Sequence, residues 1–260
     1  MEKLLDVEDI SFRYDDESPF IFEDITFNID RGDVLSILGP NGTGKTTLLK
    51  CLNGINKPEK GKILIKGKNI QSMDFKEISR NIGYIPQGHI PTFPFTVEEV
   101  VIMGRAPYVN LTESPKKEDI EIADNALKTL NIEYLKDKNY TNISGGERQL
   151  VFLARVLAQE PDILILDEPT SHLDFGNQFR LLNIIKELAA SGLSVIMSIH
   201  NPDHAFIASN KVAVMKDKHF IAFGNPNEVV TEENIKKAYD VNNVRLIELE
   251  DNRKLCVPYE

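Results

Sequence analysis

The sequence has 260 residues, which predicts one large domain or two small ones, and its 42% hydrophobic content is enough for a buried core. The formal net charge of −10 argues against a general nucleic-acid-binding protein, because such proteins depend on basic contacts to phosphates. The acidic N-terminus lacks the apolar stretch of a signal peptide, and no apolar run is long enough to span a membrane. The cysteines, Cys51 and Cys256, show no metal-ligand spacing and predict free thiols in a reducing compartment.

Short β-branched segments alternate with amphipathic helices along the chain, which predicts an α/β fold with a mainly parallel sheet. The first 30 residues differ, because VEDISFRY and DITFNI alternate apolar and polar residues and predict an antiparallel hairpin. Further strands are predicted at 33–38, 62–66, 82–85, 163–166, 194–199 and 211–215. The runs ILIL and SVIMSI are almost wholly apolar, which is typical of strands covered on both faces.

Three helices are predicted where this alternation stops. The first follows a capping box between Thr96 and Glu99. The second, at 118–130, has apolar residues at helical spacing, and the third covers 147–160. After residue 220 a short helix, EENIKKAY, is predicted, followed by two weaker strands, VRLIELE and RKLCVPY.

The chain is therefore expected to form one domain, 1–260, built from three parts. Residues 1–87 and 158–230 form the α/β core with its N-terminal hairpin. Residues 88–157 form a helical subdomain inserted into that core, and 231–260 form a C-terminal extension.

A first chemical signal is GPNGTGKT, which lies between a predicted strand and a predicted helix. Its spacing, G-x-x-x-x-G-K-T, is met by Gly39, Gly44, Lys45 and Thr46. Glycines let backbone amides turn inward into an anion nest, and the helix that follows points its positive end into it. The pattern predicts a phosphate site in which Lys45 reaches the β- and γ-phosphates and the Thr46 hydroxyl holds Mg²⁺.

A second signal is the run ILIL, which ends in two carboxylates, Asp167 and Glu168. They stand at the carboxyl edge of the predicted sheet, where open α/β sheets bind ligands. Alone, this pattern also describes a strand that leaves the core. Together with the phosphate loop it predicts one Mg-nucleotide site, in which Asp167 orders Mg²⁺ through a water and Glu168 polarises an attacking water.

A third signal is ISGGERQ, in which Ser144, Gly145 and Gly146 stand at the start of a predicted helix. A hydroxyl, bare amides and a helix dipole suit an anion there, although a glycine-relaxed helix cap would look the same. Because the chain already has one phosphate nest, we expect the second to serve a second copy of the chain. Two copies packed head to tail would place each SGG helix over the other's γ-phosphate.

These three segments, with Gln87 in IPQ and His200 after SVIMSI, closely resemble the ATP-binding subunit of ABC transporters. The resemblance runs from about residue 3 to about residue 230. It implies a RecA-like P-loop NTPase core with an N-terminal antiparallel β-subdomain and an inserted α-helical subdomain. It also implies transport-coupled ATP hydrolysis with ATP and Mg²⁺.

The resemblance implies roles for further residues. Tyr14 is expected to stack on adenine, although an aromatic on a sheet face is the other interpretation. Gln87 is expected to contact Mg²⁺ and the lytic water, and Asp174 to cross the dimer interface in the D-loop. His200, together with Lys45, is expected to stabilise the γ-phosphoryl charge. The implied nucleotide-binding residues also include Gly39, Pro40, Asn41, Gly42, Thr43, Gly44, Thr46, Thr47, Ser144, Gly145 and Gly146.

The segments TVEEVVIMGRAPY and EPTSHLDFGNQ resemble the importers of iron chelates, haem and cobalamin, and of molybdate or tungstate in some members. This branch implies an ATP-dependent homodimer, transmembrane permease subunits and, indirectly, a substrate-binding protein. It places the chain on the cytoplasmic face of the cell membrane. The segment GHIPTFPFT is expected to receive the permease, with Pro86, Pro91 and Pro94 stiffening it. Glu147 stands where many relatives have glutamine, and no role is predicted for it.

The main alternative is a soluble ABC ATPase of iron–sulfur cluster assembly, which shares this domain but has soluble partners. A chromosome-maintenance ATPase needs a long coiled coil between Lys45 and Glu168, for which the chain has no room. A translation ATPase would carry two such cassettes, and the extension after residue 230 is too short for the regulatory β-domain of some importers. The remaining histidines, expected to be surface or structural, are His89, His172, His204 and His219.

Overall fold

The computed structural model describes residues 3–88, 94–110, 112–171, 173–249 and 254–259. Its strands form a four-stranded sheet, a six-stranded sheet and a two-stranded hairpin. In chain order they are β1 (Lys3–Phe12), β2 (Phe22–Asp30), β3 (Val34–Leu38), β4 (Lys60–Ile65), β5 (Lys68–Asn69), β6 (Ile82–Ile85), β7 (Ile163–Leu166), β8 (Ser194–Ile199), β9 (Lys211–Lys216), β10 (His219–Gly224), β11 (Val244–Glu248) and β12 (Lys254–Pro258).

The helices are α1 (Lys45–Leu52), α2 (Phe75–Asn81), α3 (Val97–Ile102), α4 (Lys117–Thr129), α5 (Gly145–Leu157), α6 (Phe175–Ala190), α7 (Pro202–Ala208), α8 (Pro226–Val229) and α9 (Glu232–Tyr239). Short turns of 3₁₀ helix cover Ile70–Ser72, Met103–Arg105, Glu133–Leu135 and Tyr140–Asn142. In the part of the chain that the structure describes, no helix combines the length and the apolar character needed to cross a bilayer.

The predicted N-terminal hairpin is confirmed, since β1 and β2 pair antiparallel with Val7 opposite Phe27. The strand predicted at 62–66 is present as β4, but it pairs antiparallel with β1 and so does not join the parallel sheet. The strand order of this sheet is β2-β1-β4-β5. Its buried face packs against α1, whose Leu48 and Leu49 belong to the same apolar cluster. The helix that follows the phosphate loop is therefore fixed between the two sheets.

The six-stranded sheet has the order β10-β9-β3-β8-β7-β6. Its strands β9, β3, β8, β7 and β6 are parallel, and β10 adds an antiparallel edge that the sequence did not predict. The predicted α/β fold with a mainly parallel sheet is thus confirmed. Because parallel strands end at the same edge, the segments after β3, β6, β7 and β8 meet there.

The three helices predicted between the core segments are confirmed as α3, α4 and α5, which pack against one another around a shared apolar cluster. The capping box of α3 between Thr96 and Glu99 is also present. The helix predicted as EENIKKAY is α9, and the two weak strands after it are β11 and β12. The helix α2 was not predicted, although Asp74 caps it and Glu77 lies in its first turn.

Candidate functional site

The phosphate loop contains two glycines in the left-handed conformation, and Lys45 bridges back to its first residues. Gly42 and Gly44 have φ values of 81° and 99°, which favour glycine. A Cβ atom at Gly44 would also lie 2.9 Å from Ile21 Cγ2. Lys45 Nζ donates hydrogen bonds to the backbone oxygens of Gly39, at 2.6 Å, and Pro40, at 2.8 Å. The ammonium group is therefore held across the mouth of the loop.

Burial sets the electrostatics of this lysine. Lys45 is 5% exposed, and burial lowers its pKa below the ordinary value of 10.5. The nearby carboxylates of Glu168 and Asp167 oppose this fall in the pKa of Lys45. Burial destabilises the charged form of a lysine, and a nearby anionic phosphate stabilises it. Lys45 is therefore suited to bind a phosphate.

Asp167 is buried beside the first turn of α1. Its Oδ1 accepts a hydrogen bond from the Thr46 hydroxyl at 3.1 Å and another from the Ser198 hydroxyl at 2.7 Å. Its own amide donates to Ile85 O at 2.9 Å, which fixes the residue against β6. The structure thus brings together two of the three residues predicted to hold Mg²⁺, Thr46 and Asp167.

Glu168 contacts two further predicted residues with its two carboxylate oxygens. Gln87 Nε2 donates to Oε2 at 2.5 Å, and His200 Nε2 lies 2.6 Å from Oε1. The backbone of Glu168 is left-handed, with φ of 51°, and its amide donates to Ser198 Oγ at 2.8 Å. A non-glycine residue in this conformation is uncommon, and such residues cluster at functional sites.

These residues surround one cleft of about 330 Å³. Its lining residues are Ile21, Asn41, Gly42, Gly44, Lys45, Thr46, Thr47, Gln87 and Glu168. Asp167 and His200 join this group through their contacts to Thr46 and Glu168. The cleft brings an ammonium group and a helix N-terminus close to two carboxylates.

The oxygen atoms of the cleft suit a hard divalent cation. The Thr46 hydroxyl and the Asp167 carboxylate lie on neighbouring elements, with the Gln87 amide in the same cleft. Magnesium prefers such oxygen ligands and commonly takes only one or two carboxylates, with substrate phosphates and water completing the set. Among the described residues there is no cluster of three or more His, Cys, Asp or Glu suited to a metal.

Tyr14 lies beside the phosphate loop on the N-terminal hairpin. Its hydroxyl is 3.3 Å from Thr47 Oγ1, and its ring meets Phe12 edge to face at 5.1 Å between centroids. The residue is 64% exposed, so it is open to solvent beside the phosphate loop. Its predicted adenine contact remains a prediction.

Ser144, Gly145 and Gly146, which we call the signature, do not line this cleft. Ser144 caps α5, accepting the Glu147 amide at 3.2 Å, while Glu147 Oε2 accepts the Ser144 amide at 2.8 Å. This reciprocal capping box gives Glu147 the role that its sequence position did not reveal. The same bonds to Ser144 lower the pKa of the Glu147 carboxyl.

The signature lies instead beside the D-loop of the same chain. A Cβ atom at Gly146 would come within 2.9 Å of Asn177 Nδ2, whereas one at Gly145 would meet nothing within 4 Å. Asp174 caps α6, with its Oδ1 accepting the Asn177 amide at 2.9 Å and its Oδ2 the Asn177 side chain at 2.8 Å. The two segments predicted to face a second copy therefore adjoin each other.

The other histidines show no ligand arrangement where they are described. His204 is buried, with its Nδ1 3.3 Å from Thr170 Oγ1, and burial lowers its pKa. His219 Nδ1 lies 2.9 Å from the Glu23 carbonyl. His89 and His172 lie outside the described residues, as does Pro91 of the segment expected to receive the permease.

Two site residues escaped sequence reasoning. Ser198 is fully buried and connects Asp167 to the Glu168 backbone, yet the sequence shows it only as one polar residue in an apolar strand. Its signal lies in strand register, since Leu166 pairs with Met197 and places Asp167 next to Ser198. Ile21 lines the cleft from the hairpin, and no local pattern marks it.

Comparisons with known proteins agree with this geometry. A family profile described as ABC transporter matches residues 22–171. The molybdate import ATP-binding protein MolC of Haemophilus influenzae is 37% identical over 90% of this chain and 87% of that protein. The probable iron chelatin transport ATP-binding protein of Helicobacter pylori is 39% identical over 91% of this chain and 93% of that protein. A chain from a metal-chelate type ABC transporter in an inward-facing conformation superposes with a TM-score of 0.87, at 32% identity, over 99% of this chain and 98% of that chain.

Proposed function

This chain belongs to the ABC transporter family of ATP-binding ATPases, and from that membership we propose that its ATP hydrolysis powers a membrane importer. The proposed cargo is a metal chelate, such as an iron–siderophore complex, haem or cobalamin, or else molybdate or tungstate. The names of the similar import proteins support this choice. The observation that carries the hydrolytic part is the convergence of Lys45, Asp167, Glu168 and His200 on one cleft.

The phosphate loop binds the triphosphate of ATP in this proposal. The Lys45 ammonium exchanges the Gly39 and Pro40 oxygens for β- and γ-phosphate oxygens. The backbone amides of residues 41–47 complete the cradle at the N-terminus of α1. Tyr14 provides the stacking face for adenine, because it is exposed beside Thr47.

The chain's own residues would hold Mg²⁺ beside the first turn of α1. We assign it to the Thr46 hydroxyl, to Asp167 through a water, and to the Gln87 amide. When bound, the ion neutralises charge that develops on the phosphate oxygens.

Glu168 acts as the general base. Its two oxygens contact Gln87 and His200 within the chain, and each oxygen keeps a further lone pair that can accept a proton from water. Release of His200 turns its imidazole toward the γ-phosphoryl group, and release of Gln87 leaves its amide able to orient the water. Gln87 and His200 thus both contact Glu168, and all three side chains take part in the reaction when ATP is bound.

A second copy of the chain completes the site. Ser144, Gly145 and Gly146 begin α5 away from their own cleft, and Gly145 faces open space. We propose that two copies pack head to tail with ATP between them, so that each signature closes over the other's γ-phosphate and Asp174 lies at the interface. ATP then stabilises the homodimer by mass action.

The proposed helical subdomain, 88–157, transmits this closure to the permease. An apolar groove of about 530 Å³ lies on it, lined in part by Phe95, Met103 and Ile120. Exposed apolar surface of this kind is typical of protein interaction sites. We propose that a permease subunit docks here, which places the chain on the cytoplasmic face of the membrane, with a substrate-binding protein as an indirect partner.

Copurification tests the importer against the iron–sulfur alternative. A tagged Glu168→Gln chain is expressed in its own cells and purified from detergent-solubilised membranes with MgATP. The matched control is Lys45→Ala, which should not form the ATP dimer. Mass spectrometry should identify a polytopic membrane protein enriched over that control. Soluble cluster-assembly proteins with no membrane subunit would instead support the alternative.

A further inference from the structure

The C-terminal extension holds the segment that carries His200. Tyr239, the last residue of α9, donates its hydroxyl to the His200 carbonyl oxygen at 2.9 Å. On β12, the Cys256 amide donates to Asp203 Oδ1 at 2.8 Å. These two contacts, from Tyr239 and from Cys256, form what we call the C-terminal clamp. One contact holds the short connection between β8 and α7 at His200, and the other holds the first turn of α7 at Asp203.

This connection consists of His200 and Asn201, and Asn201 caps α7. β8 ends at Ile199 and α7 begins at Pro202, so the His200 carbonyl lies outside both elements. The orientation of that peptide decides where the imidazole points, and a shift of about 1 Å in a reacting group can lower a rate by about 100-fold. The Tyr239 hydroxyl donates a hydrogen bond to this carbonyl and so fixes the orientation of the peptide.

The phenol is itself held in place. Tyr239 packs partly buried against the apolar cluster of the core, and burial raises its pKa. The backbone of Gly39 opposes that rise in the pKa of Tyr239. The next residue, Asp240, ends α9 in a left-handed conformation and forms an ion pair with Lys216 at the end of β9.

We propose that Tyr239 is a positioning residue for ATP hydrolysis, acting through the backbone of His200 to keep its imidazole directed into the cleft, where it can reach the γ-phosphoryl group. This inference rests on the role proposed above for His200. It gives the C-terminal extension a part in the chemistry, because the clamp connects α9 and β12 to the segment that carries His200. The extension therefore stabilises the productive arrangement without touching the nucleotide.

The test is a double-mutant cycle on the purified full chain. Steady-state turnover and single-turnover phosphate release are measured with MgATP for wild type, Tyr239→Phe, His200→Ala and the double variant. Tyr239→Phe removes one hydroxyl and keeps the ring, so its kcat should fall about threefold to tenfold while KM for ATP changes less than about twofold. In the His200→Ala background the same substitution should cause no further fall.

Tyr259→Phe is the matched control, because it makes the same change in the same extension. The Tyr259 hydroxyl contacts the Asn242 carbonyl at 3.5 Å and not His200, so its turnover should equal wild type. A wild-type kcat for Tyr239→Phe overturns the inference, and so does an equal fall in both backgrounds, which would indicate a packing role alone. Wild-type turnover for His200→Ala would instead overturn the role proposed for His200, and the Tyr239 inference with it.

Discussion

His200 and Glu168 are in direct contact within one chain, with Nε2 of the imidazole 2.6 Å from Oε1 of the carboxylate. The two residues follow neighbouring strands, β8 and β7, so the parallel sheet itself sets their separation. In the proposed mechanism this contact pairs the base with the γ-phosphate sensor before ATP binds, and ATP binding draws His200 toward the phosphate.

Replacing the base should separate binding from hydrolysis. In Glu168→Gln the amide keeps the shape and hydrogen bonds of the side chain but cannot accept a proton, so kcat should fall about 100-fold to 10,000-fold. ATP affinity should remain close to wild type. Size-exclusion chromatography with MgATP should then show a stable dimer. Full turnover in this variant would show that Glu168 is not the base.

Replacing the loop lysine should remove nucleotide binding. Charge-assisted hydrogen bonds contribute about 1.5–3 kcal/mol, so Lys45→Ala should weaken ATP binding by at least about tenfold. Equilibrium binding of a fluorescent ATP analogue measures this directly. Lys50→Ala, on the same helix α1 but outside the cleft lining, should bind as wild type. An unchanged affinity for Lys45→Ala would contradict the phosphate-loop assignment.

Ser198 should affect both stability and the metal requirement. Ser198→Ala removes the donor to Asp167 and the acceptor of the Glu168 amide, and a buried unpaired group costs about 1–3 kcal/mol. Because Asp167 then loses its alignment with Thr46, half-maximal ATPase activity should need more Mg²⁺. Denaturant unfolding and a Mg²⁺ titration measure the two effects.

Ser194→Ala is the matched control for this prediction. Ser194 is also buried on β8 and also bonds in two directions, donating to Asp30 O and accepting from the Gly32 amide, both at 3.0 Å. It lies at the opposite end of the strand from the cleft. We expect a similar loss of unfolding free energy with an unchanged Mg²⁺ requirement. An equal rise in the Mg²⁺ requirement for both variants would refute the role of Ser198.

The capping carboxylate of Glu147 should make helix α5 sensitive to acid. The bonds from Ser144 lower the pKa of this carboxyl below its ordinary value of 4.5, so its contribution to stability is present above that value. Glu147→Gln should therefore lower the free energy of unfolding at neutral pH by less than about 1 kcal/mol, since the group is partly solvated. The difference from wild type should disappear as the pH falls through the lowered pKa.

Unfolding measured in urea across this pH range checks the direction. Glu187→Gln, at an exposed glutamate on α6, provides the control and should show no such pH-dependent difference. A difference for Glu147→Gln that grows as the pH falls would contradict the capping role.

Local patterns in the sequence determined the short-range features of this protein. The glycine spacing of the phosphate loop, the capping box of α3, the helix that begins after Ser144, and the strand β7 that precedes Asp167 and Glu168 all appear where they were predicted. Each depends on backbone conformation over a few residues, which residue type and spacing control directly. The roles of Tyr14, Ser144 and Asp174 toward a nucleotide and a second copy stay predictions.

Only the tertiary structure decided which distant segments meet. The pairing of β4 with β1, the placement of Ser198 beside Asp167, and the bond from Tyr239 to His200 each join residues far apart in the chain. No local pattern encodes them, because an apolar strand is equally suited to several neighbours and registers. Packing of the two sheets around α1 selects one arrangement, and that arrangement turns separate sequence motifs into one site.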